Sequence, residues 1–166
     1  AGLDENAMLE LIDPDKDGKH QEVEVRWELK DGVCWADGTS ITADDFIFAW
    51  HFAMSESPAL PIPSKDTQKR MREVRGEDGG KTVVVVYSQP YAYAAVADLY
   101  ALPRHVVEPL LKADGEAFDK NAWNRRPLGN GPFMVEEWIP NQRVTLVRNP
   151  KWWGPSTGME KIVYHI

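Results

Sequence analysis

Apolar and charged side chains alternate without a break between Glu22 and Lys30. A period of two places successive side chains on opposite faces of a β-strand, so this segment is predicted to be a strand that buries one face only. The buried face would carry Val23, Val25, Trp27 and Leu29, and the opposite face Glu24, Arg26, Glu28 and Lys30.

The first long helix is marked by a change of period. Thr42 precedes Asp45 by three residues, a spacing typical of a helix N-terminus in which the two residues cap each other's backbone. We therefore predict a helix that begins at Ala43, is capped by Thr42 and extends to about residue 54. Its apolar face would carry Phe46, Ala49, Trp50, Ala53 and Met54, which recur at helical spacing.

The remaining pattern predicts a mixture of strands and helices. The fully apolar run Val83–Val86 indicates a strand that is covered on both faces. Further strands are predicted at Glu73–Arg75, Phe133–Ile139, Arg143–Asn149 and Lys161–Ile166, and the second and third of these are predicted to form a hairpin. Further helices are predicted at Glu5–Ile12, Tyr91–Leu102 and Arg104–Lys112. Because no regular strand–helix–strand repeat appears, we predict an α+β fold with a mixed, mainly antiparallel sheet and flanking helices. A length of 166 residues suits a single domain over 1–166.

Composition narrows the choice of partners. The net charge of −7 argues against nucleic acid or an anionic membrane surface, because both partners require basic patches. Seven tryptophans in a chain that is 43% hydrophobic are ample for a packed core. Cys34 is the single cysteine, which excludes an internal disulfide and a cysteine-based zinc cluster. The sequence begins without Met and shows no signal peptide, so we expect an excised fragment.

Four separated segments carry a recognisable signature. The first holds Trp27, Leu29, Lys30, Asp31, Gly32, Val33, Trp35, Asp37, Gly38, Thr39, Ile41, Thr42, Ala43 and Asp45. The others, in chain order, are Gly129–Phe133, Gln142–Gly154 and Met159–Ile166. Together they resemble the signature of the bacterial extracellular solute-binding proteins that serve peptide and nickel ABC transporters, solute-binding family 5. Cys34 and Asn130 depart from the pattern, and members of that family are much longer.

The resemblance implies a two-lobed, periplasmic-binding-protein-like fold, of which this chain would be a sub-domain fragment of the first lobe. It implies capture of a peptide or other small solute without catalysis or cofactor, and delivery to an ABC permease in the membrane. The location would be periplasmic or extracellular and membrane-associated, as in a lipoprotein. The proline-rich loop 57–63 is the one segment that we expect to face the ligand cleft, with Ser57, Leu60 and Ile62 as candidate contacts.

A calcium loop is the alternative reading of one acidic segment. Asp13, Asp15, Asp17, Gly18 and Glu24 fit the spacing Asp-x-Asp-x-Asp-Gly-x5-Glu. In an EF-hand the closing Glu enters a helix, whereas Glu24 lies in the predicted strand. A solvated turn is therefore the favoured interpretation, and a stand-alone structural or interaction module with a calcium loop at 13–24 remains the alternative.

Catalytic patterns are absent from the sequence. The four histidines have no metal-binding spacing, no Gly-x-Ser-x-Gly stands near a candidate base, and Cys34 has no obvious histidine partner. Glu136 and Glu137 are neighbours on a strand and would point to opposite faces, so they cannot form a close acid–base pair. Gly129 and Gly131 precede Pro132, which favours a tight turn with left-handed glycines over a phosphate-binding loop. We therefore expect a protein that is not an enzyme.

Overall fold

The computed structural model describes residues 8–12, 16, 21–55, 65–96, 99–114 and 121–166. The strands are β1 (Met8–Ile12), β2 (Glu22–Glu28), β3 (Met71–Glu77), β4 (Thr82–Tyr87), β5 (Phe133–Ile139), β6 (Arg143–Arg148) and β7 (Lys161–His165). The helices are α1 (Ala43–Met54) and α2 (Arg104–Asp114), and short 3-10 turns lie at 68–70, 78–80, 94–96 and 122–125.

The first sheet has the strand order β1-β2-β4-β3, and every neighbouring pair is antiparallel. Val25 of β2 lies opposite Val85 of β4, which in turn lies opposite Val74 of β3. All three are buried and belong to the main hydrophobic core. Trp27 is buried in the same core, as the alternation in the sequence predicts, and Trp35, which lies beyond the alternating segment, is buried with it.

The outer face of this sheet is covered by charged side chains. Arg26 lies opposite Val84, and Val84 lies opposite Arg75, so the arginine stems flank the central strand on this face. Val84 and Val86 are nevertheless only 0% and 1% exposed. The prediction that the apolar run is covered on both faces is confirmed, and on one face the cover consists of ion-paired arginine and glutamate side chains.

Helix α1 packs on the core face of the first sheet. Phe46, Ala49 and Ala53 of the predicted apolar face are buried and Trp50 is partly buried, whereas Met54 at the end of the helix is exposed. The helix start approaches β3 so closely that a Cβ on Gly76 would lie 2.8 Å from the Cβ of Ala43. Glycine at position 76 is therefore required for this packing.

The second sheet has the order β5-β6-β7 and is also antiparallel throughout. The predicted hairpin between β5 and β6 is confirmed, with Asn141 in the left-handed conformation (φ 58°) at its turn. Glu136 pairs with Lys161 and Glu137 with Arg143, so the adjacent carboxylates engage different cations. All described strand pairs are antiparallel, in agreement with the predicted mainly antiparallel architecture. The strands form two sheets, whereas the sequence predicted one.

Two predicted helices are wrong in the described residues. Met8–Ile12 form strand β1, because pairing with β2 outweighs the weak local helix pattern. In the segment 91–102, only Ala94–Val96 form a helical turn among the residues that the structure describes. The N–H of Leu102 donates to the carbonyl of Asp45 instead of to its own segment, and the following Pro103 disfavours a helical residue before it.

The Gly129–Gly131 segment also differs from expectation, because neither glycine has a positive φ. The carbonyl of Gly129 accepts from the N–H of Ala36 at 2.9 Å, and the carbonyl of Gly131 accepts from Asn149 Nδ2 at 2.8 Å. Hydrogen bonds from two other segments therefore hold this stretch, and the left-handed conformation is not needed.

Candidate functional site

The first signature segment folds into a tight turn around Trp35. The N–H of Trp35 donates to the carbonyl of Thr39, and the N–H of Gly38 donates back to the carbonyl of Trp35, both at 2.8 Å. Gly38 has a φ of 92°, which non-glycine residues rarely adopt. The Asp37 carboxylate accepts from the N–H of Thr39 at 2.8 Å and closes the turn. Asp37 and Gly38 therefore form a tight reversal of the chain.

Asp45 joins three parts of the chain through one buried carboxylate. Its Oδ2 accepts from the N–H of Thr42 at 3.1 Å, which is the capping contact that the sequence predicts. The same oxygen accepts from Trp35 Nε1 at 3.4 Å, and Oδ1 accepts from the N–H of Arg104 at 3.0 Å. The last two contacts are not visible in the sequence, and they tie α1, the signature turn and the start of α2 together.

His105 makes a second link between α2 and the signature turn. Its Nε2 lies 2.8 Å from Asp37 Oδ2. Burial alone would raise the pKa of the Asp37 carboxyl, but hydrogen bonds from Thr39 and His105 outweigh it and hold that pKa below its usual value. The contact pairs two residues that are 68 positions apart in the sequence.

The C-terminal signature segment contacts the first one directly. Cys34 Sγ lies 3.4 Å from the carbonyl oxygen of Lys151. The ring of Trp153 packs against the hydrophobic core, and its centroid lies 4.6 Å from that of Trp152. Three of the signature segments therefore meet in space, although more than eighty residues separate the first from the second along the chain. This junction is architectural, because it consists of packing and hydrogen bonds between segments of the chain.

The candidate site residues of the sequence analysis fall mainly outside the described part of the chain. This applies to Ser57, Leu60 and Ile62 of the proline-rich loop, and to Asp13, Asp15 and Asp17 of the calcium alternative. Within the described residues, no group of three or more histidine, cysteine, aspartate or glutamate side chains is placed to hold a metal ion. Glu24 is described, and its environment is informative.

Glu24 belongs to a network of ion pairs on the outer face of the first sheet. Its carboxylate accepts from Arg75 Nη2 at 2.7 Å and is also bonded by Arg26. Arg75 and Arg26 bridge further to Glu77 on β3. Burial alone would raise the pKa of Glu24, but hydrogen bonds and charges from the two arginines outweigh it and lower that pKa. Glu24 is therefore already engaged by two cations.

This ion-pair network predicts that the protein loses the stability contributed by Glu24 in acid. A carboxylate whose pKa is lowered by folding contributes stability that is present above its usual value of 4.5 and is lost as pH falls through the lower folded pKa. We expect Glu24→Gln to be less stable than the parent at pH 7 and to approach the parent at pH 3, as measured by urea unfolding. The control is Glu28→Gln on the same strand, whose exposed side chain forms no ion pair within the described residues. A constant difference between parent and Glu24→Gln across this pH range would contradict the prediction.

The same contacts predict weak calcium binding at the 13–24 loop. A calcium ion could recruit Glu24 only by displacing two guanidinium groups. With a millimolar dissociation constant, 1 mM calcium would raise the melting temperature by less than about 2 °C. Thermal melting in calcium and then in excess chelator checks this expectation. A larger drop in chelator that disappears in Asp15→Ala would instead support the calcium module.

Comparison with known proteins defines the class to which this arrangement belongs. Residues 12–166 match the family model described as "Bacterial extracellular solute-binding proteins, family 5 Middle". The chain is 30% identical over 142 residues to the oligopeptide-binding protein OppA of Mycobacterium tuberculosis, covering 84% of this chain and 24% of that protein. The chain therefore belongs to the bacterial extracellular solute-binding proteins of family 5, whose members are binding proteins and not enzymes.

Solved structures agree on the fold. The periplasmic EDTA-binding protein EppA matches with a TM-score of 0.76 at 28% identity, covering 99% of this chain and 29% of that chain. The oligopeptide-binding protein of Thermus thermophilus, complexed with a pentapeptide, matches with a TM-score of 0.74 at 22% identity, covering 95% of this chain and 30% of that chain. Such proteins are two-lobed, and this chain has the fold of one portion of them. The chain thus spans less than a third of the length of these relatives.

Helices in the described part of the chain are too short or too polar to cross a membrane.

Proposed function

We propose that this chain is a first-lobe portion of the solute-binding protein of an ABC importer, and that the complete protein captures peptides and delivers them to a membrane permease. The family match over residues 12–166 carries this proposal. Peptide is the favoured solute because relatives in the sequence and structure comparisons are named for oligopeptides. On this proposal the protein works at the outer face of the membrane, associated with it through its permease or an anchor.

Solute selection, in our proposal, lies largely outside this chain. The same portion of fold occurs in one relative named for oligopeptides and in another named for EDTA, which share little chemistry. In the described residues, the contacts among the signature segments form a structural support for the rest of the binding protein. Of the candidate contacts, only the loop with Ser57, Leu60 and Ile62 is proposed to face the solute.

The exposed face of the second sheet supports a place within a larger protein. Trp138 of β5 lies opposite Val144 of β6, which lies opposite Tyr164 of β7, so the three side chains share one face. Leu146 and Ile162 form the next row on that face. Trp138 is 44% exposed and Tyr164 is 58% exposed. A contiguous apolar surface of this kind is typical of an interface, which we assign to the remaining portion of the binding protein.

The decisive test is the identity of the solute. The longer protein that contains this chain would be purified without refolding, and the molecules released on denaturation would be identified by mass spectrometry. We expect short peptides. Release of a metal complex or a lipid, with no peptide, would retain the family and refute the peptide assignment.

The isolated chain provides the matching control. Because a two-lobed protein holds its ligand by closing both lobes around it, one portion supplies too few contacts for tight binding. Calorimetry of this chain against a pool of di- to pentapeptides is expected to show no saturable micromolar binding. A clear saturable isotherm would refute the view that solute contacts lie mainly elsewhere.

A further inference from the structure

A recess of about 470 Å³ lies beside the signature turn and has an unusual lining. Residues 29–34 form one wall, 79–81 another, and Gly38 with Ser40–Thr42 the third. Four glycines in the described residues have a positive φ, and all four line this recess: Gly32, Gly38, Gly79 and Gly80. Three tight turns therefore converge at this recess.

The glycines leave the recess open. A Cβ built on Gly32 or on Gly79 would meet no atom within 4 Å, so the missing side chains leave free space beside the turns. A volume of this size is typical of sites that hold a small ligand or a few residues of a peptide. The main chain itself is thus accessible for hydrogen bonding.

Available donors gather at one end of the recess. Within the described residues, the N–H groups of Asp31 and Gly32 donate to no other group. Successive N–H groups in such a turn form a concave anion site. Lys30 and Lys81 line both this recess and a neighbouring one of about 380 Å³. Two ammonium groups and two backbone donors therefore lie where an acceptor could approach.

The carboxylates near the recess do not fully neutralise the two lysines. The Asp31 carboxylate is 3.6 Å from Lys81 Nζ, but its side chain is 97% exposed and therefore holds the lysine weakly. Glu28 and Asp78 line only the neighbouring recess, and Asp78 accepts from the Thr82 hydroxyl at 2.7 Å. Lys30 forms no ion pair within the described residues.

We propose that this recess is a docking site for an extended loop of a partner protein that inserts a carboxylate side chain. The Asp31 and Gly32 N–H groups with the two lysines bind the carboxylate, and the glycine turns admit the loop backbone. This inference rests on the proposed function, which supplies the partner as the membrane permease. A loop of the permease suits an open recess in a portion of fold that occurs in proteins named for different solutes.

The test uses the isotopically labelled chain and three peptides in an NMR titration. The capped peptide acetyl-Gly-Gly-Glu-Gly-Gly-amide mimics a loop, its Gln analogue removes the charge, and the uncapped Glu peptide mimics a free solute. We expect the capped Glu peptide to shift the amide resonances of Asp31, Gly32, Gly79 and Gly80. The Gln analogue should bind about tenfold more weakly, the difference expected for one charge-assisted interaction.

Charge-reversal variants locate the site. Lys30→Glu and Lys81→Glu should each abolish the shifts while leaving the melting temperature unchanged, because both side chains are exposed. Lys69→Glu, an exposed lysine that does not line the recess, is the matched control and should behave as the parent. Cys34, the single cysteine, lines the recess, so a photo-crosslinker attached there should capture the capped Glu peptide.

Each other outcome overturns the proposal. Equal binding of the Glu and Gln peptides would show that the recess does not recognise a carboxylate. Binding of only the uncapped peptide would show that the recess binds a free solute and not a loop. If none of the three peptides alters the spectra, the recess is not a binding site and the turns that line it are simply solvated. Because the titration uses this chain alone, its failure is distinguishable from failure of the proposed function, which is tested by the solute released from the longer protein.

Discussion

Replacing Trp27 with alanine is expected to lower the free energy of unfolding by about 3–5 kcal/mol and to leave little folded protein at 37 °C. Trp27 is 4% exposed and lies opposite Val83, which in turn lies opposite Gly76. Its loss would open a large cavity between the first sheet and the helix that packs on it. Urea unfolding followed by far-ultraviolet circular dichroism measures the effect.

The adjacent residue supplies a matched control. Glu28 is exposed on the same strand, so Glu28→Ala should change the free energy of unfolding by no more than about 0.5 kcal/mol. Because Trp27→Ala could prevent folding altogether, Trp27→Phe serves as a milder variant that keeps an aromatic ring. Similar losses at positions 27 and 28 would show that the assigned faces of β2 are wrong.

Replacing Asp45 with alanine is expected to lower the free energy of unfolding by about 2–4 kcal/mol. The change removes the acceptor for the N–H groups of Thr42 and Arg104 and for Trp35 Nε1, and leaves these donors without their partner. From the sequence alone, the cap predicts about 1 kcal/mol for Thr42→Ala and somewhat less for Asp45→Ala. Asp45 is only 5% exposed, and because its carboxylate is buried we expect Asp45→Ala to cost more than Thr42→Ala.

Asp44 provides the control for this prediction. It precedes Asp45 in the first turn of the same helix, but its side chain is 66% exposed and, among the described residues, pairs only with Arg104 at 3.4 Å. Asp44→Ala should therefore change the free energy of unfolding by no more than about 0.5 kcal/mol. Equal effects at 44 and 45 would mean that the helix dipole dominates and that the three buried contacts contribute little.

Local patterns were sufficient where one segment alone specifies its structure. The alternation around Trp27, the cap at Thr42 and the hairpin between β5 and β6 were all predicted, because periodicity and turn chemistry act within a few residues. The family was also recognisable from the signature segments. The helices predicted at 5–12 and 91–102 failed where strand pairing and a contact with Asp45 override weak local preference.

Long-range contacts were beyond the reach of the sequence. Nothing local to Asp45 indicates that Trp35 and Arg104 will share its carboxylate, and nothing local to Asp37 indicates His105. The prediction that Glu24 lies on the solvent side was sound as a face assignment. Its partner Arg26 lies two residues away on the same strand, but its partner Arg75 depends on the position of β3 beyond β4.

The sequence by itself determined the family, the polarity of the two faces of β2 and the start of the first long helix, because each is specified by residues close together in the chain. Only the tertiary structure decided which glycine turns converge into one recess and which carboxylates are buried or ion-paired. Those features arise where segments distant in sequence meet, and their energies depend on burial and distance, which a linear pattern does not contain.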